Sequence, residues 1–264
     1  MKELAGTGSD QHSSVVSWLD EKHFVVDGVR FFATITPSEY HSLKSTDEEF
    51  LIVKTRAMIE REIDGVDRAR VRRILDIGIW QGGSVALYDR VFRPEKLVAV
   101  EYNPKPVEAL ARYVSRFGRR EVRPYYGINQ GNAAAMREIL EKEFGDRSEI
   151  DLVVDDASHF YAETRTAFNV VFPFVAPNGR YVVEDWAWSH SQNWKLDYFQ
   201  NKPAVTNLVL ELCVLAATRP DMISEVSVIG SMAIVTKGPA KIPLSGFDIG
   251  NWTVNKGQPL TPTL

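Results

Sequence analysis

Apolar runs and amphipathic stretches alternate regularly between residues 72 and 186. Five short runs rich in aliphatic and β-branched residues are separated by segments whose apolar positions recur at helical spacing. This alternation predicts βαβ units, which form a parallel sheet with right-handed crossovers. The predicted strands cover residues 74–78, 97–101, 122–126, 150–155 and 179–184. The predicted helices cover 84–91, about 104–118, about 133–144 and about 160–172.

The pattern of apolar positions changes after residue 186. The pattern predicts a long helix over about 204–218 and two β-runs at 225–228 and 233–236, joined as an antiparallel hairpin around Gly230. The expected fold is therefore α/β: a Rossmann-like, doubly wound and mostly parallel seven-stranded sheet with an antiparallel C-terminal hairpin. We expect this unit to span residues 66–238, followed by a proline-rich irregular tail over 239–264.

The first 65 residues are predicted to form an N-terminal extension made of a hairpin and a helix. Residues 24–35 alternate as a hairpin does, with Asp27-Gly28 at the turn. The segment 45–49 (Ser-Thr-Asp-Glu-Glu) has the form of a capping box, and apolar residues follow at helical spacing. We therefore expect a helix that begins there and ends near Gly65.

Composition narrows the class of protein. The chain has 264 residues, of which 44% are hydrophobic and 25% charged, and its net charge is −4. These values are typical of a globular protein, and they provide no basic field for binding nucleic acid. No apolar run approaches the roughly 18 residues of a membrane span, and no signal-peptide pattern is present. The single cysteine excludes an internal disulfide, so a cytoplasmic location is expected, and a homo-oligomer is compatible with the sequence.

Acidic residues end two neighbouring predicted strands. Asp155 and Asp156 end the fourth, and Glu184 and Asp185 end the fifth. Parallel strands bring their carboxyl ends to one edge of the sheet, where ligands bind. Crowded carboxylates require a proton or a cation, and a hard divalent cation with oxygen ligands meets that need. We expect Asp156, Glu184 and Asp185 to bind Mg²⁺ or Mn²⁺. His159 is then a candidate base beside the ion.

A glycine-rich turn follows the first strand of the sheet, in the segment 76–84 (Asp-Ile-Gly-Ile-Trp-Gln-Gly-Gly-Ser). Its glycines are not spaced as in a dinucleotide site, and it lacks the ending of a P-loop. Asp76 would repel a pyrophosphate but suits a cationic ligand. Glu101, at the end of the next strand, can accept hydrogen bonds from ribose hydroxyls. An adenosine with a positive centre and no phosphates, S-adenosylmethionine, fits these features.

At this point the chain resembles the class I S-adenosylmethionine-dependent methyltransferases, in particular the metal-dependent sugar O-methyltransferases of the macrocin and mycinamicin type and the cephalosporin-hydroxylase-like proteins. The resemblance covers about residues 45–237. The motifs that carry it are Asp76-x-Gly78-x-x-x-Gly82-Gly83-Ser84, Asp155-Asp156-x-Ser158-His159 and Glu184-Asp185.

The resemblance implies that Asp156, Glu184 and Asp185 bind Mg²⁺ and that His159 is the general base. It also implies donor contacts from Gly78, Ser84, Glu101 and Gln130. One departure is Asn129, which stands where such proteins tend to have an aspartate before the glutamine. From the residues themselves, Asp76 and Gly82 are added to the expected donor site. Because side chains alternate along a strand, Asp156 is assigned to the metal and Asp155 to the donor.

Each feature also has a structural explanation. Asp155, Asp156 or Ser158 could cap the following helix, and the glycines could simply permit a tight turn. His159 could be an ordinary core or surface histidine, and Glu184-Asp185 a solvated strand end. The aromatic cluster after Asp185, including Trp186, Trp188, Trp194 and His190, fits either a core under a lid or a carbohydrate-binding face.

The sequence thus predicts a Mg²⁺-dependent O-methyltransferase that acts on a hydroxyl of a sugar or glycosylated metabolite, with Trp186, Trp188 and His190 at the acceptor. The alternatives are a catechol-type phenolic O-methyltransferase and a relative that binds S-adenosylmethionine without transferring the methyl group. Neither a membrane nor a nucleic acid is expected as a partner.

Overall fold

The computed structural model describes residues 15–64, 66–145, 149–191 and 201–263. Its first part is a small sheet in the order β1-β2-β3-β4, in which only the β3–β4 pair is parallel. The strands are β1 (Ser17–Trp18), β2 (His23–Val26), β3 (Val29–Ala33) and β4 (Glu49–Ile52). Two helices accompany them, α1 (Pro37–Ser42) and α2 (Arg56–Asp64).

The expected helix start at residues 45–49 is wrong. The Thr46 hydroxyl does accept hydrogen bonds from the backbone N–H groups of Glu48 and Glu49, as a cap would. The chain then continues as β4, because its backbone pairs in parallel with β3 and its apolar side chains are buried. The helix begins only at Arg56 and ends next to the predicted Gly65. The hairpin turn at Asp27-Gly28 is confirmed.

The large sheet confirms the predicted α/β class. It has seven strands in the order β10-β11-β9-β8-β5-β6-β7, and β10 and β11 form the antiparallel hairpin. The strands are β5 (Arg73–Ile77), β6 (Lys96–Glu101), β7 (Val122–Tyr126), β8 (Ile150–Asp155), β9 (Val175–Val183), β10 (Ile223–Ile229) and β11 (Met232–Lys237). The associated helices are α3 (Gly83–Phe92), α4 (Glu108–Phe117), α5 (Ala133–Phe144), α6 (Tyr161–Val171) and α7 (Thr206–Thr218).

Both faces of the large sheet are covered, so its central strands are apolar on both sides. In β5, Ile74 belongs to the cluster formed with α3, α4 and the small sheet, whereas Leu75 belongs to the cluster formed with α5, α6 and α7. The tail adds a short hairpin, β12 (Val254–Asn255) and β13 (Gln258–Pro259). Among the described residues, none of the helices has the length and apolar character needed to cross a bilayer.

Strand register brings the carboxyl ends of β5, β8 and β9 side by side. Ile77 of β5 pairs with Asp155 of β8, and Asp155 pairs in turn with Val183 of β9. The residues that follow each of these are Gly78, Asp156 and Glu184. They therefore lie next to one another at the carboxyl edge of the sheet, where open α/β sheets bind ligands.

The small sheet approaches this edge through Gly83, the first residue of α3. A Cβ at Gly83 would lie 2.2 Å from the carbonyl oxygen of Leu51 in β4. Only glycine permits this contact, which brings the residues after β4 to the ligand-binding edge.

Gly83→Ala should therefore destabilise the protein by about 2–3 kcal/mol, because the methyl group must displace β4. Gly118→Ala is the matched control. A Cβ at Gly118 would meet no described atom within 4 Å, and the only strain there is a left-handed backbone at φ +61°. Its replacement should cost about 1 kcal/mol. Urea unfolding measures both values, and an equal or smaller loss at Gly83 would contradict the contact.

Candidate active site

A cavity of about 660 Å³ opens at the carboxyl ends of β5, β6 and β8. Its volume is in the range of small-molecule sites. Most of the predicted site residues border it: Gly78, Ser84, Glu101, Gln130, Asp156, His159, Asp185 and Trp188. The small sheet and α1 provide a second wall, with Tyr40, His41 and Lys54.

Gly78 allows the turn after β5 to pass close to the end of β8. Its φ is +115°, and a Cβ there would lie 2.2 Å from the carbonyl oxygen of Asp156. Gly82 has φ +83° and precedes α3, against the Leu110 side chain. Gly82 shapes the turn but, unlike Gly78, does not border the cavity. The left-handed backbone at both positions explains why the loop contains glycine.

Asp76 lies beneath this loop and is fully buried. Its Oδ2 accepts a hydrogen bond of 2.7 Å from the Ser84 hydroxyl, and its Oδ1 has no hydrogen-bond partner among the described residues. Asp76 does not itself border the cavity, whereas Ser84 does. The expected contact between Asp76 and the donor is thus replaced by a hydrogen bond to a residue of the cavity wall.

Glu101 ends β6 with its carboxylate held in a fixed position. One oxygen accepts from the backbone N–H of Trp80 and the other from that of Asn103, each at 2.8 Å. A carboxylate oxygen has more than one lone pair, so both oxygens can still accept from a ligand hydroxyl. Tyr102, beside it, is 73% exposed and borders the same cavity. This arrangement suits a ribose with an adjacent flat ring.

Asp156, His159 and Asp185 converge on one side of the cavity. One ligand atom from each lies within 4.8 Å of the other two, and His159 Nε2 is 3.9 Å from Asp156 Oδ1. His159 and Asp185 both have φ +53°, a left-handed conformation that is uncommon for residues other than glycine. The ring of Trp188 packs on the His159 imidazole, with 4.3 Å between centroids.

The carboxylates of Asp156 and Asp185 repel each other. Burial and the neighbouring Asp156 raise the pKa of Asp185, while His159 and Lys54 act in the opposite direction. The oxygens of Asp156 and Asp185 are hard donors that a divalent cation such as Mg²⁺ accepts, and the imidazole of His159 lies beside them. A cation with bonds of about 2.1 Å would need only small side-chain movements here. The residues present therefore fit a Mg²⁺-type ion.

Glu184 does not join this group. Its side chain is buried and accepts a hydrogen bond from Lys54 Nζ. The same Nζ lies 3.1 Å from Glu62 and 3.6 Å from Asp156. Burial alone would lower the pKa of Lys54, but the surrounding carboxylates raise it well above its ordinary value. Lys54 is thus a charged, buried ammonium beside the candidate metal ligands.

Asp155, predicted to face the donor, points to the other face of the sheet. It is buried and accepts a 2.9 Å hydrogen bond from the hydroxyl of Tyr181, and it does not border the cavity. Strand alternation explains this orientation, since Asp155 and Asp156 must face opposite sides. Burial raises the pKa of Asp155 to about 7.

Two of the three predicted acceptor residues also lie off the cavity wall. The Trp186 indole donates to the carbonyl oxygen of Gly230, in the turn between β10 and β11. His190 Nε2 lies 2.5 Å from the Thr206 hydroxyl at the start of α7. Trp188 does border the cavity, and Trp194 lies outside the described residues.

Sequence reasoning missed the wall formed by the N-terminal part of the chain. Tyr40 and His41 come from the short helix α1, and the ring of Tyr40 meets the 42%-exposed Trp80 edge-on, with 6.3 Å between centroids. Lys54 had one detectable signal: a charged residue that ends the apolar run Phe50-Leu51-Ile52-Val53. The acidic residues at the ends of β8 and β9 follow apolar runs in the same way.

Comparison with known proteins agrees with this geometry. Residues 75–186 match a family described as a methyltransferase domain. Mycinamicin VI 2''-O-methyltransferase of Micromonospora griseorubida is 29% identical over 120 residues, which are 43% of this chain and 27% of that protein. A tetracenomycin-C rhamnosyl 2'-O-methyltransferase of Streptomyces olivaceus is 32% identical over 126 residues, 45% of this chain and 29% of that protein.

Solved structures show the same fold. The MycE methyltransferase of mycinamycin biosynthesis, in complex with Mg, SAH and mycinamycin VI, aligns with a TM-score of 0.52 and 25% identity, over 69% of this chain and 49% of that one. The O-methyltransferase TomG of Streptomyces achromogenes, in complex with SAM, aligns with a TM-score of 0.52 and 19% identity, over 71% and 82%. The matched segment spans less than a third of the curated relatives and about half of MycE.

The buried Asp76 generates a pH-dependent prediction. Burial raises its pKa to about 7, against the opposing effects of Ser84 and Lys54. The native carboxyl therefore keeps its proton up to about pH 7, whereas the unfolded chain releases it near pH 4. The resulting stabilisation is full below about pH 4 and is lost as the pH rises through 7.

Relative to wild type, Asp76→Asn should accordingly gain about 2–3 kcal/mol of unfolding free energy between pH 5 and pH 8. Urea unfolding at the two pH values measures this difference. A gap between the two proteins that stays constant with pH would contradict the raised pKa.

Proposed function

We propose that the protein transfers a methyl group from S-adenosylmethionine to a hydroxyl group of a sugar or glycosylated small molecule, with Mg²⁺; its residues 75–186 match a family described as a methyltransferase domain. One observation supports this above all: Asp156, Asp185 and His159 converge in the same cavity as the glycine turn and Glu101. The proposed donor and metal sites would thus share a single cavity.

The donor would lie along the ends of β5 and β6. Glu101 would accept hydrogen bonds from the ribose hydroxyls, and Tyr102 would stack beside the adenine. Gly78 leaves room for the backbone to approach the donor closely, and Ser84 offers its hydroxyl beside it. Gln130 is held between Ser158 and Thr164, whose atoms it meets at 3.4 Å, and it borders the cavity, where it would contact the adenine.

Asp156 and Asp185 would hold the ion, which when bound would polarise the acceptor hydroxyl and orient it. His159 would accept the hydroxyl proton at Nε2. The new O–CH₃ bond forms as the S–CH₃ bond breaks, so the products are a methyl ether, S-adenosylhomocysteine and a protonated His159. The Trp188 ring packed on the imidazole would keep it oriented toward the acceptor.

The acceptor class is inferred from the wall that faces this group. Tyr40, Trp80 and Trp188 offer aromatic faces, and apolar C–H surfaces of sugars stack on such rings. By name, both curated relatives described above are O-methyltransferases, and the name of the second specifies a rhamnosyl compound. A sugar hydroxyl is a weak acid and needs a base, which His159 would supply. A catechol hydroxyl needs less help from a base, so methylation of a catechol would depend less on His159.

The test of this proposal is product formation. The protein incubated with S-adenosylmethionine should release S-adenosylhomocysteine with a glycoside from a panel of macrolide and polyketide glycosides, and EDTA should suppress the release. Turnover of catechols alone would identify the phenolic alternative. Calorimetric binding of S-adenosylmethionine without turnover of any acceptor would identify a non-transferring relative.

His159→Ala should lower turnover by about 10²–10⁴, because no base then takes the proton from the substrate hydroxyl. Binding of S-adenosylhomocysteine, measured by calorimetry, should stay unchanged. His190→Ala is the matched control, since that imidazole lies against Thr206 away from the cavity, and it should keep nearly full turnover. Turnover of His159→Ala within about threefold of wild type would remove His159 from this role.

A further inference from the structure

Lys54 places a buried positive charge directly beside the candidate metal ligands. It follows β4, outside the segment that matches the methyltransferase family, and its side chain is only 1% exposed. Its ammonium contacts the carboxylates of Glu184, Glu62 and Asp156. The chain thus has its own cation at the edge where the sheet collects acidic residues.

The contacts divide the acidic residues into two groups. Glu184 and Glu62 face Lys54, and Glu62 also accepts a 2.8 Å hydrogen bond from the buried hydroxyl of Tyr88. Asp156 lies between the groups: its Oδ2 is 3.6 Å from Lys54 Nζ, and its Oδ1 is directed toward His159. One carboxylate therefore bridges the ammonium and the site where a divalent ion would bind.

Two effects follow from this position. An ammonium that faces Glu184 keeps that carboxylate out of the coordination shell of an ion. It also repels a divalent cation held only one carboxylate away, at short range and partly shielded from water. Both effects weaken ion binding.

We propose that Lys54 is a positioning residue that competes with the divalent cation for Glu184 and Asp156, and so limits the affinity of the ion. This inference rests on the proposed function, since it concerns the same metal site. In the protein as it stands, Asp156 and Asp185 hold the ion, and Glu184 serves as the counter-ion of Lys54. Removal of the ammonium turns Glu184 into a ligand.

The experiment measures Mn²⁺ affinity by electron paramagnetic resonance, which reports free ion and needs no catalytic turnover. Lys54→Met should bind Mn²⁺ at least about tenfold more tightly than wild type, because one repulsive charge is lost and one carboxylate is released. A merely structural role would weaken binding instead. Unchanged or weaker binding by the folded variant would overturn the proposal.

Two controls test the role of charge and position. Lys54→Arg keeps the positive charge and should restore wild-type affinity within about threefold. Lys96→Met removes the same charge from the start of β6, where Lys96 lies 3.1 Å from Glu143, at the opposite edge of the sheet. It should leave Mn²⁺ affinity unchanged. Tighter binding by Lys96→Met would mean that net charge alone sets the affinity, which contradicts the proposal.

Because Lys54→Met leaves buried carboxylates unpaired, it could fail to fold, which circular dichroism would reveal. The double variant Lys54→Met with Glu62→Gln removes one buried charge of each sign. The glutamine side-chain oxygen can still accept the hydrogen bond from the Tyr88 hydroxyl. It too should bind Mn²⁺ more tightly than wild type, and failure to do so overturns the proposal. A different result would contradict the proposed function itself: no binding of S-adenosylhomocysteine, or no binding of Mn²⁺, by either the wild type or the variants.

Discussion

Negative charge at the carboxyl edge of the large sheet is the constraint on which the rest of the structure depends. Strand register alone sets Asp156 beside Glu184, with Asp185 next in the chain. Carboxylates this close, and partly buried, require compensating positive charge. Lys54 provides part of it from the N-terminal sheet, and the group of Asp156, Asp185 and His159 stays open toward the cavity. A divalent ion and a sulfonium donor would supply the remainder.

The backbone around this edge is adapted to close contacts. Gly78 allows β5 and β8 to meet, and Gly83 allows β4 to reach α3, so the two glycines connect separate parts of the fold to one cavity. His159 and Asp185 have left-handed backbones despite their side chains. Such conformations persist only when the surroundings enforce them, and they concentrate at functional sites. Local strain and electrostatic repulsion thus occur at the same place.

Regular periodicity made most of the large sheet predictable. The predicted limits of β7 and β8 agree with the structure to the residue, and α5 covers the range of about 133–144 predicted for it, because turn residues and the change of period mark these elements locally. The start of β4 could not be predicted this way, since Thr46 forms a cap-like turn whatever follows, and only the pairing with β3 makes the segment a strand.

The contacts of the site residues were less predictable. Lys54 contacts Glu184 across 130 residues of sequence, so no local pattern indicates their contact. Alternation correctly separated Asp156 from Asp155, but the partner of Asp155, Tyr181, became apparent only in three dimensions.

The central claim is that the acidic ends of β8 and β9 surround a shared cation that faces a methyl donor. A crystal structure with S-adenosylhomocysteine and Mn²⁺, with anomalous data to locate the metal, tests it most directly. We expect one anomalous peak about 2.1 Å from carboxylate oxygens of both Asp156 and Asp185, with the donor's sulfur directed toward the same space and its ribose on Glu101. A bound donor with no peak in the cavity, or a peak away from both aspartates, would contradict the claim.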